Sequence, residues 1–355
     1  MGKIRIKKVG KEEKWIGNGE PTFIVAEVGI NHNGDLNLAK KIIDEAKKCG
    51  VDAVKFQVFT ADEFVSDPSS TYTYRSRGEL ITESMLEIFK RYEFDAEEWK
   101  EIFGYCKNKK IEFFVTPQNP SDLDFILSIV DVPVIKVGSD DLTNLELLEY
   151  YAKKNKPVMI SAGMAYISEI EDAVNTIRST GNSDLIVLHC VSSYPADAKE
   201  VNLRRILTIK QAFDVVVGFS DHTIGSTAAV GAVALGAKII EKHFTLDKNL
   251  QGPDHWFSAN PDEMRELVDE IRFIERALGS GVIEPTPKEL EMRKIARRSI
   301  VAAKNIGKGD TITKNMVALK RPGTGLTPKL INYVVGRKAK VDIKRNELIT
   351  FDKIE

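Results

Sequence analysis

Excess charge of either sign is missing from this chain of 355 residues: 51 Lys and Arg face 52 Asp and Glu, a net charge of −1. No bulk attraction to nucleic acid or anionic lipid follows, so neither partner is expected. Long apolar runs are missing too. None approaches the ~20 residues that span a bilayer. The opening stretch MGKIRIKKVGKEEKW lacks the apolar centre of a signal peptide. Cysteine is scarce: Cys49, Cys106 and Cys190 have no metal spacing, and their odd number leaves a thiol over in any disulfide scheme. Reduced thiols in a cytoplasmic protein are the expectation. The first strand-like run also lacks the G-x-G-x-x-G turn of a dinucleotide-binding open sheet.

What is present is alternation. Eight short β-rich runs occur at 23–29, 53–58, 112–117, 134–139, 157–163, 185–190, 215–222 and 237–245. Each is almost continuously apolar, which suits parallel strands buried on both faces. Amphipathic stretches separate them. Ala39, Ile42, Ile43 and Ala46 follow helical spacing, as do Trp99, Ile102, Phe103 and Cys106. The last such helix is expected over 261–279, with Asn260 as N-cap, Pro261 in its first turn and Gly279 after its end. Eight strand–helix units predict a closed (β/α)8 TIM barrel; a doubly wound open sheet is the alternative. Residues 59–94 form a long polar and aromatic insertion after the second strand, where barrel enzymes keep binding loops.

The pattern changes near 280. The expected layout is a barrel over 1–280, a Gly-, Pro- and charge-rich linker over 281–294, and a small β-rich domain over 295–355. That last region carries an internal echo. IGKGDTITKN (306–315) is repeated as IKRNELITFD (343–352), an offset of 343 − 306 = 37 residues. Two similar β-turn–β units predict a pseudo-symmetric domain.

Barrel active sites lie at the C-terminal strand ends. Polar residues there are Glu27; Lys55 and Gln57; Thr116; Lys136 and Ser139; Ser161; His189; Ser220, Asp221 and His222; and Glu241 and His243. Buried Lys and Glu need partners, because an unpaired buried charge costs several kcal/mol. In KIIEKHFT (238–245), period two sends Glu241 and His243 to one face and Lys242 to the other. His222 and His243 end neighbouring strands about 4.8 Å apart, so they could share one divalent ion, or each could be a core histidine. Lys55 and Lys136, with Thr116, Ser139, Ser161 and Ser220, suit a small phosphate- or carboxylate-bearing substrate. The alternatives are an internal ion-pair layer with Glu27 and Glu241, or a Schiff-base lysine of an aldolase. NHNGD (31–35) reads as an Asn-Gly turn with Asp35 as N-cap. Asp254 and His255 reach the barrel mouth or shape its loop.

Together, FIVAEVGINHNGD, VKFQ, FFVTP, IKVGS, ISAGM, LHCVSSYP, GFSDHTIG, GAVALGAKIIEKHFT and GPDHWFSANPDE resemble the N-acetylneuraminate (sialic acid) synthase family. SIVAAKNIGKGDTIT and VALKRPGTGL resemble that family's C-terminal SAF domain, which is similar to type III antifreeze protein. The resemblance runs from about residue 20 to the end. It implies condensation of phosphoenolpyruvate with an open-chain N-acetylmannosamine-type sugar, giving a nine-carbon 2-keto acid and phosphate. It further implies His222 and His243 as ligands of Mn²⁺, with Mg²⁺ or Co²⁺ as alternatives. Lys55, Lys136, Thr116, Ser139, Ser161 and Ser220 would hold phosphoenolpyruvate. Glu27 would orient sugar or water, and Glu241 would assist proton transfer. Gln57, Tyr194 and Asp254 would contact the sugar, and Arg321 would reach it from the partner of a domain-swapped homodimer. Asp141 stands where the family often has Glu, and Ser192 where some members have Asn, so both bear on which sugar is used. Legionaminic and pseudaminic acid synthases, acting on 6-deoxy diacetamido hexoses, are the related alternative.

Overall fold

The computed structural model describes residues 2–6 and 14–355. Residues 1 and 7–13, part of the opening stretch read above for a signal peptide, lie outside the described residues. The chain divides into two compact units, Met1–Gly279 and Ser280–Glu355.

In the first unit eight parallel strands close a barrel. They are β1 (Phe23–Gly29), β2 (Ala53–Val58), β3 (Glu112–Pro117), β4 (Ile135–Val137), β5 (Val158–Ser161), β6 (Leu185–Cys190), β7 (Val216–Asp221) and β8 (Ile239–His243). Their helices are α1 (Leu36–Cys49), α2 (Ala96–Lys109), α3 (Pro120–Ile129), α4 (Leu145–Ala152), α5 (Ile167–Ser179), α6 (Arg205–Phe213), α7 (Thr227–Ala234) and α8 (Pro261–Leu278). The expected (β/α)8 barrel is therefore the observed fold. β4 is shorter than its apolar run, because Gly138 and Ser139 already belong to the loop.

Local signals set the boundaries. Asp35 caps α1 by accepting from the Asn37 and Leu38 N–H groups, and Gly50 ends it at φ 87°. Asn33 and Gly34 take positive φ, and a Cβ on Gly34 would meet the Arg91 carbonyl oxygen at 2.1 Å, so the Asn-Gly turn is required there. α8 starts with a reciprocal cap: Asn260 Oδ1 accepts from the Glu263 N–H, and Glu263 accepts from the Asn260 N–H, each at 3.0 Å. The α1 stripe Ala39, Ile42, Ile43 and Ala46 is wholly buried against the barrel's outer face. Each large aliphatic side chain so buried contributes about 1.5–3 kcal/mol.

A second apolar cluster fills the barrel's interior at its N-terminal end. It joins Phe23, Val25, Phe114, Met159 and Leu188 to Ile4, Ile6 and Ile16 of an antiparallel hairpin (Lys3–Ile6 with Lys14–Gly17). The hairpin thus closes the end of the barrel away from the strand C-termini. The 59–94 insertion folds as helix Ala61–Phe64, hairpin Thr71–Ser76 with Glu79–Ser84, and helix Met85–Tyr92. These enclose a small core of Ile30, Phe59, Tyr74, Ile88 and Tyr92.

In the second unit, residues 287–296 are helical, overlapping the expected 281–294 linker and running two residues past it, with Thr286 and Glu289 capping each other. None of its residues is buried. The echoed segments face each other. Ile306 and Ile343 exchange backbone hydrogen bonds of 2.9 and 2.8 Å, and Ile312 and Ile349, six residues after each, are fully buried together. The turns match too: Asp310 accepts from the Gly307 N–H and Glu347 from the Lys344 N–H, each at 2.8 Å. The pseudo-symmetry read from the echo is present.

Candidate active site

Strand parity builds the site. Side chains alternate between the interior and the helix layer, and the inward positions change character along each strand. β1 runs Phe23, Val25, Glu27; β2 runs Ala53, Lys55, Gln57; β8 runs Ile239, Glu241, His243. The apolar members join the interior cluster, and the polar ones line a cavity of about 300 Å³ at the C-terminal mouth. Register then sets neighbours: Glu27 lies beside both His243 and Lys55, and Ser220 beside Glu241.

The charged centre has four groups, each no more than 5% exposed. Lys55 Nζ is 2.8 Å from Glu27 Oε2 and 3.9 Å from Glu241 Oε2, and donates to Thr116 Oγ1 at 2.7 Å. Lys136 Nζ donates to Ser161 Oγ at 2.8 Å and to the Val137 carbonyl at 3.1 Å, and lies 3.8 Å from Glu241 Oε1. Ser220 Oγ donates to Glu241 Oε1 at 2.9 Å. Burial lifts Glu27 to about 7, with Lys55 opposing and the Glu241 charge assisting. Burial also resists ionisation of Glu241, but Lys136 and Lys55 outweigh it and hold that carboxyl below the usual range. Lys55 is raised, because Glu241 and Glu27 outweigh its burial, whereas burial prevails at Lys136 and lowers it. Glu27 Oε2 and Glu241 Oε2 are buried without a hydrogen-bond partner. The two ammonium groups, with the hydroxyls of Thr116 and Ser161 that they touch, offer a phosphate or carboxylate both cations and donors.

The two histidines sit beside this centre with ring centroids 5.6 Å apart. His222 Nδ1 donates to the Val191 carbonyl at 2.7 Å. Ser220 Oγ, 3.4 Å from His222 Nε2, spends its proton on Glu241, so Nε2 keeps its lone pair. His243 Nδ1 is buried without a hydrogen-bond partner, with Asp254 Oδ2 3.8 Å away. Burial pushes His222 down to about 4, and burial with the His222 charge pushes His243 well below its usual value. Two neutral imidazoles with available nitrogens suit a divalent cation. Among the described residues no cluster of three or more His, Cys, Asp or Glu is arranged to hold one. The donor set here is two imidazole nitrogens, fewer than a closed structural site supplies.

Tyr194 stacks on His222 at 4.1 Å and meets His243 edge-on at 5.8 Å. Ser139 and Ser192 also line the cavity. A Cβ on Gly163 would fall 2.4 Å from Ser192 Oγ and 2.7 Å from Ser139 Oγ, so both hydroxyls depend on glycine there.

Of the residues singled out in the sequence, Glu27, Lys55, Gln57, Thr116, Lys136, Ser139, Ser161, Ser192, Tyr194, Ser220, His222, Glu241 and His243 share this cavity. Asp254 lines an adjoining one. Asp141 does not join them; its carbonyl accepts from the Asn144 N–H in the turn before α4, and its neighbour Asp140 lines the cavity. Arg321 belongs to the second unit and is exposed. His189, of outward parity, is a core histidine 2.5 Å from the Val201 carbonyl oxygen. Sequence reasoning missed Asp140 and Gln118, which lie in loops beyond the reach of strand parity. It also missed the partnership of Lys242 with Asp221. Lys242 Nζ donates to Asp221 Oδ2 at 2.8 Å and to the Thr223 and Gly225 carbonyls. Both residues are outward neighbours of site residues at matched register, so opposite charges on adjacent strands were the available signal.

A parallel (β/α)8 barrel with paired lysines, carboxylates and imidazoles at its C-terminal mouth is of the anion-binding enzyme class. A profile of the NeuB family matches residues 42–283, and one of the SAF domain matches residues 297–355. The chain belongs to the NeuB family and carries a SAF domain. It is 44% identical over 349 residues to an uncharacterised protein of Methanocaldococcus jannaschii, covering 98% of this chain and 99% of that one. It is 39% identical over 343 residues to the N,N'-diacetyllegionaminic acid synthase of Legionella pneumophila, covering 96% of each. The fold is similar to the crystal structure of N-acetylneuraminic acid (sialic acid) synthetase from Leptospira borgpetersenii in complex with citrate. The TM-score is 0.72 at 37% identity, covering 81% of this chain and 96% of that one. Among the described residues no helix is long and apolar enough to cross a membrane.

Proposed function

We propose that this protein is a nonulosonate synthase that condenses phosphoenolpyruvate with the open-chain form of an N-acetylmannosamine-type sugar. The observation that carries the reading is the convergence of Lys55, Lys136 and their hydroxyl neighbours with two imidazoles in one cavity. Lys55 and Lys136 with the hydroxyls of Thr116, Ser139, Ser161 and Ser220 hold the phosphate and carboxylate of phosphoenolpyruvate. Gln57, Ser192, Tyr194 and Asp254 hold the sugar. A divalent ion on His222 and His243, Mn²⁺ first with Mg²⁺ or Co²⁺ as alternatives, supplies Lewis acidity toward the aldehyde oxygen when bound.

The methylene carbon of phosphoenolpyruvate bonds to the aldehyde carbon, and the aldehyde oxygen gains a proton. Water adds to the former enol carbon, and phosphate leaves with the bridging oxygen by C–O cleavage. Glu241, held ionised, is suited to accept the proton of the adding water. Glu27, near half-titration at neutral pH, is suited to orient the sugar or that water. The working form is a homodimer in which Arg321 of one protomer serves the other's barrel. The exposure of Arg321 and of Leu290, Met292 and Ile295 on the helix before the SAF domain supports this. Three free, buried cysteines support a cytoplasmic setting.

A second acceptor, a 2,4-diacetamido-2,4,6-trideoxy hexose, is favoured by the identity to the Legionella enzyme. The test is phosphate release from phosphoenolpyruvate with Mn²⁺ and a panel of mannosamine, diacetamido-mannose and diacetamido-altrose acceptors. Release should need both sugar and metal. Release without an acceptor, or a pyruvate adduct on Lys55 or Lys136 trapped by borohydride, would overturn the reading.

A further inference from the structure

The motif NHNGD (31–35) ties β1 to the loop after β8. These strands pair as far as His243 beside Glu27, and the Phe244 N–H then donates to the Glu27 carbonyl at 2.7 Å. A parallel ladder would next bring the Gly29 N–H to the Phe244 carbonyl. By that point β1 has bent. Its pairing with β2 shifts register between Glu27 and Gly29, Gly29 takes a φ of 54°, and the Asn31 N–H closes a turn on the Val28 carbonyl at 2.8 Å. The turn directs the Asn31 side chain back to β8. Asn31 Nδ2 donates to the Phe244 carbonyl at 2.9 Å, so a side-chain amide stands in for the next rung.

The same Nδ2 also donates to Ser258 Oγ at 3.0 Å, and Ser258 Oγ donates to the Asp254 carbonyl at 2.6 Å. Asn31 is 1% exposed and Ser258 is fully buried. One amide therefore fixes two segments: the peptide that follows His243 and the turn that carries Asp254. Between them these segments set the approach of His243 Nδ1 to Asp254 Oδ2, 3.8 Å. The outer part of the loop has separate anchors. Asn33 Nδ2 donates to the Gln251 carbonyl at 2.8 Å, and His255 Nδ1 lies 2.7 Å from Thr245 Oγ1. Loss of the Asn31 amide would thus loosen the two site segments and leave the rest of the loop held.

We propose that Asn31 is a positioning residue, acting through the Phe244 carbonyl on His243 and through Ser258 on Asp254. Asn31 itself does not line the cavity. This deepens the synthase reading and rests on its assignment of His243 to the cation and Asp254 to the sugar. The effect has a direction. Lys55 with Thr116, and Lys136 with Ser161, are paired across β2 to β5, away from this loop. The phosphoenolpyruvate half of the site should therefore not register the loss of Asn31, whereas the cation and sugar half should.

Asn31→Leu keeps the branched shape and removes both donors, whereas Ser258→Ala removes only the arm to Asp254. Each variant, and the pair combined, is read by Mn²⁺ calorimetry, by phosphate-release kinetics with the acceptor wild type uses best, and by a melting curve. Asn31→Leu should weaken Mn²⁺ binding and raise the sugar KM, each about tenfold, the scale of one lost hydrogen bond. Its KM for phosphoenolpyruvate should stay within twofold of wild type. Ser258→Ala should raise the sugar KM alone, and the combined variant should match Asn31→Leu. Equal rises in all three constants, or a fall in Tm with all three unchanged, would overturn the proposal and leave the synthase reading standing. Absence of turnover with every acceptor would remove the synthase reading. The Mn²⁺ titration then still decides the His243 arm, and equal affinity in wild type and Asn31→Leu would overturn it.

Discussion

Lys136→Met separates an anion-binding centre from a structural ion-pair layer. Met preserves the length and apolar stem of the side chain and removes only the ammonium. In the native site that ammonium bonds Ser161 Oγ at 2.8 Å and faces Glu241 Oε1 at 3.8 Å. Without it, Lys55 alone faces Glu27 and Glu241, and the centre loses one of its two cations. Loss of one charge-assisted contact to the substrate anion costs about 1.5–3 kcal/mol, or about 10–10²-fold in kcat/KM for phosphoenolpyruvate. Much of the loss should fall on KM for that substrate, with the sugar saturating. Folding should suffer less than at Lys242, because Glu241 keeps Ser220 Oγ at 2.9 Å and Lys55 Nζ at 3.9 Å. Phosphate-release kinetics and a melting curve on the same preparation give both numbers. A KM for phosphoenolpyruvate within twofold of wild type, together with a large fall in Tm, would refute the reasoning and leave Lys136 as a structural cation.

Removing both imidazoles, His222→Ala with His243→Ala, should abolish Mn²⁺ binding in calorimetry and reduce phosphate release to background; full activity would sink the metal assignment. Lys242→Met should destabilise the barrel by about 3–5 kcal/mol in urea unfolding, since Asp221 is left buried with its charge unpaired; a change below about 1 kcal/mol would contradict this. His32 is fully buried against Phe94, and burial lowers it to about 3 from the usual 6.5. The folded state resists a proton that the unfolded state accepts, so this stability is complete above about pH 6.5 and drains as pH falls toward 3. At pH 5 the loss is about 2 kcal/mol, from roughly 1.5 pH units below the unfolded value. His32→Gln should show an acid loss smaller by that amount, and identical pH profiles would refute it. Gly163→Ala should lower activity by displacing Ser139 and Ser192 while leaving Tm within a few degrees; unchanged kinetics would count against those hydroxyls.

The barrel was readable because its strands are short, apolar and separated by capped helices, so periodicity and caps agree at nearly every boundary. The inner wall was readable for the same reason: with period two, Glu241 and His243 must share a face, as must Lys55 and Gln57. Parity fails where strands end. Asp141 and Asp140 are adjacent in a loop, and only the fold shows that Asp140 meets the cavity. The hairpin within 59–94 buries only Tyr74 and Ser76, and Ser76 meets Gly252, some 170 positions away, a contact that no local pattern announces. The 37-residue echo, by contrast, was a local signal of two like units; that Ile306 and Ile343 pair with each other is what the structure adds.

The most direct test of the central claim follows the bridging oxygen of phosphoenolpyruvate. With that oxygen labelled as ¹⁸O, and Mn²⁺ and an accepted sugar present, condensation by C–O cleavage predicts that the label leaves in inorganic phosphate, with a nine-carbon 2-keto acid as co-product. Label retained in the carbon product, with pyruvate in place of the nine-carbon acid, would mean P–O hydrolysis and would contradict the account.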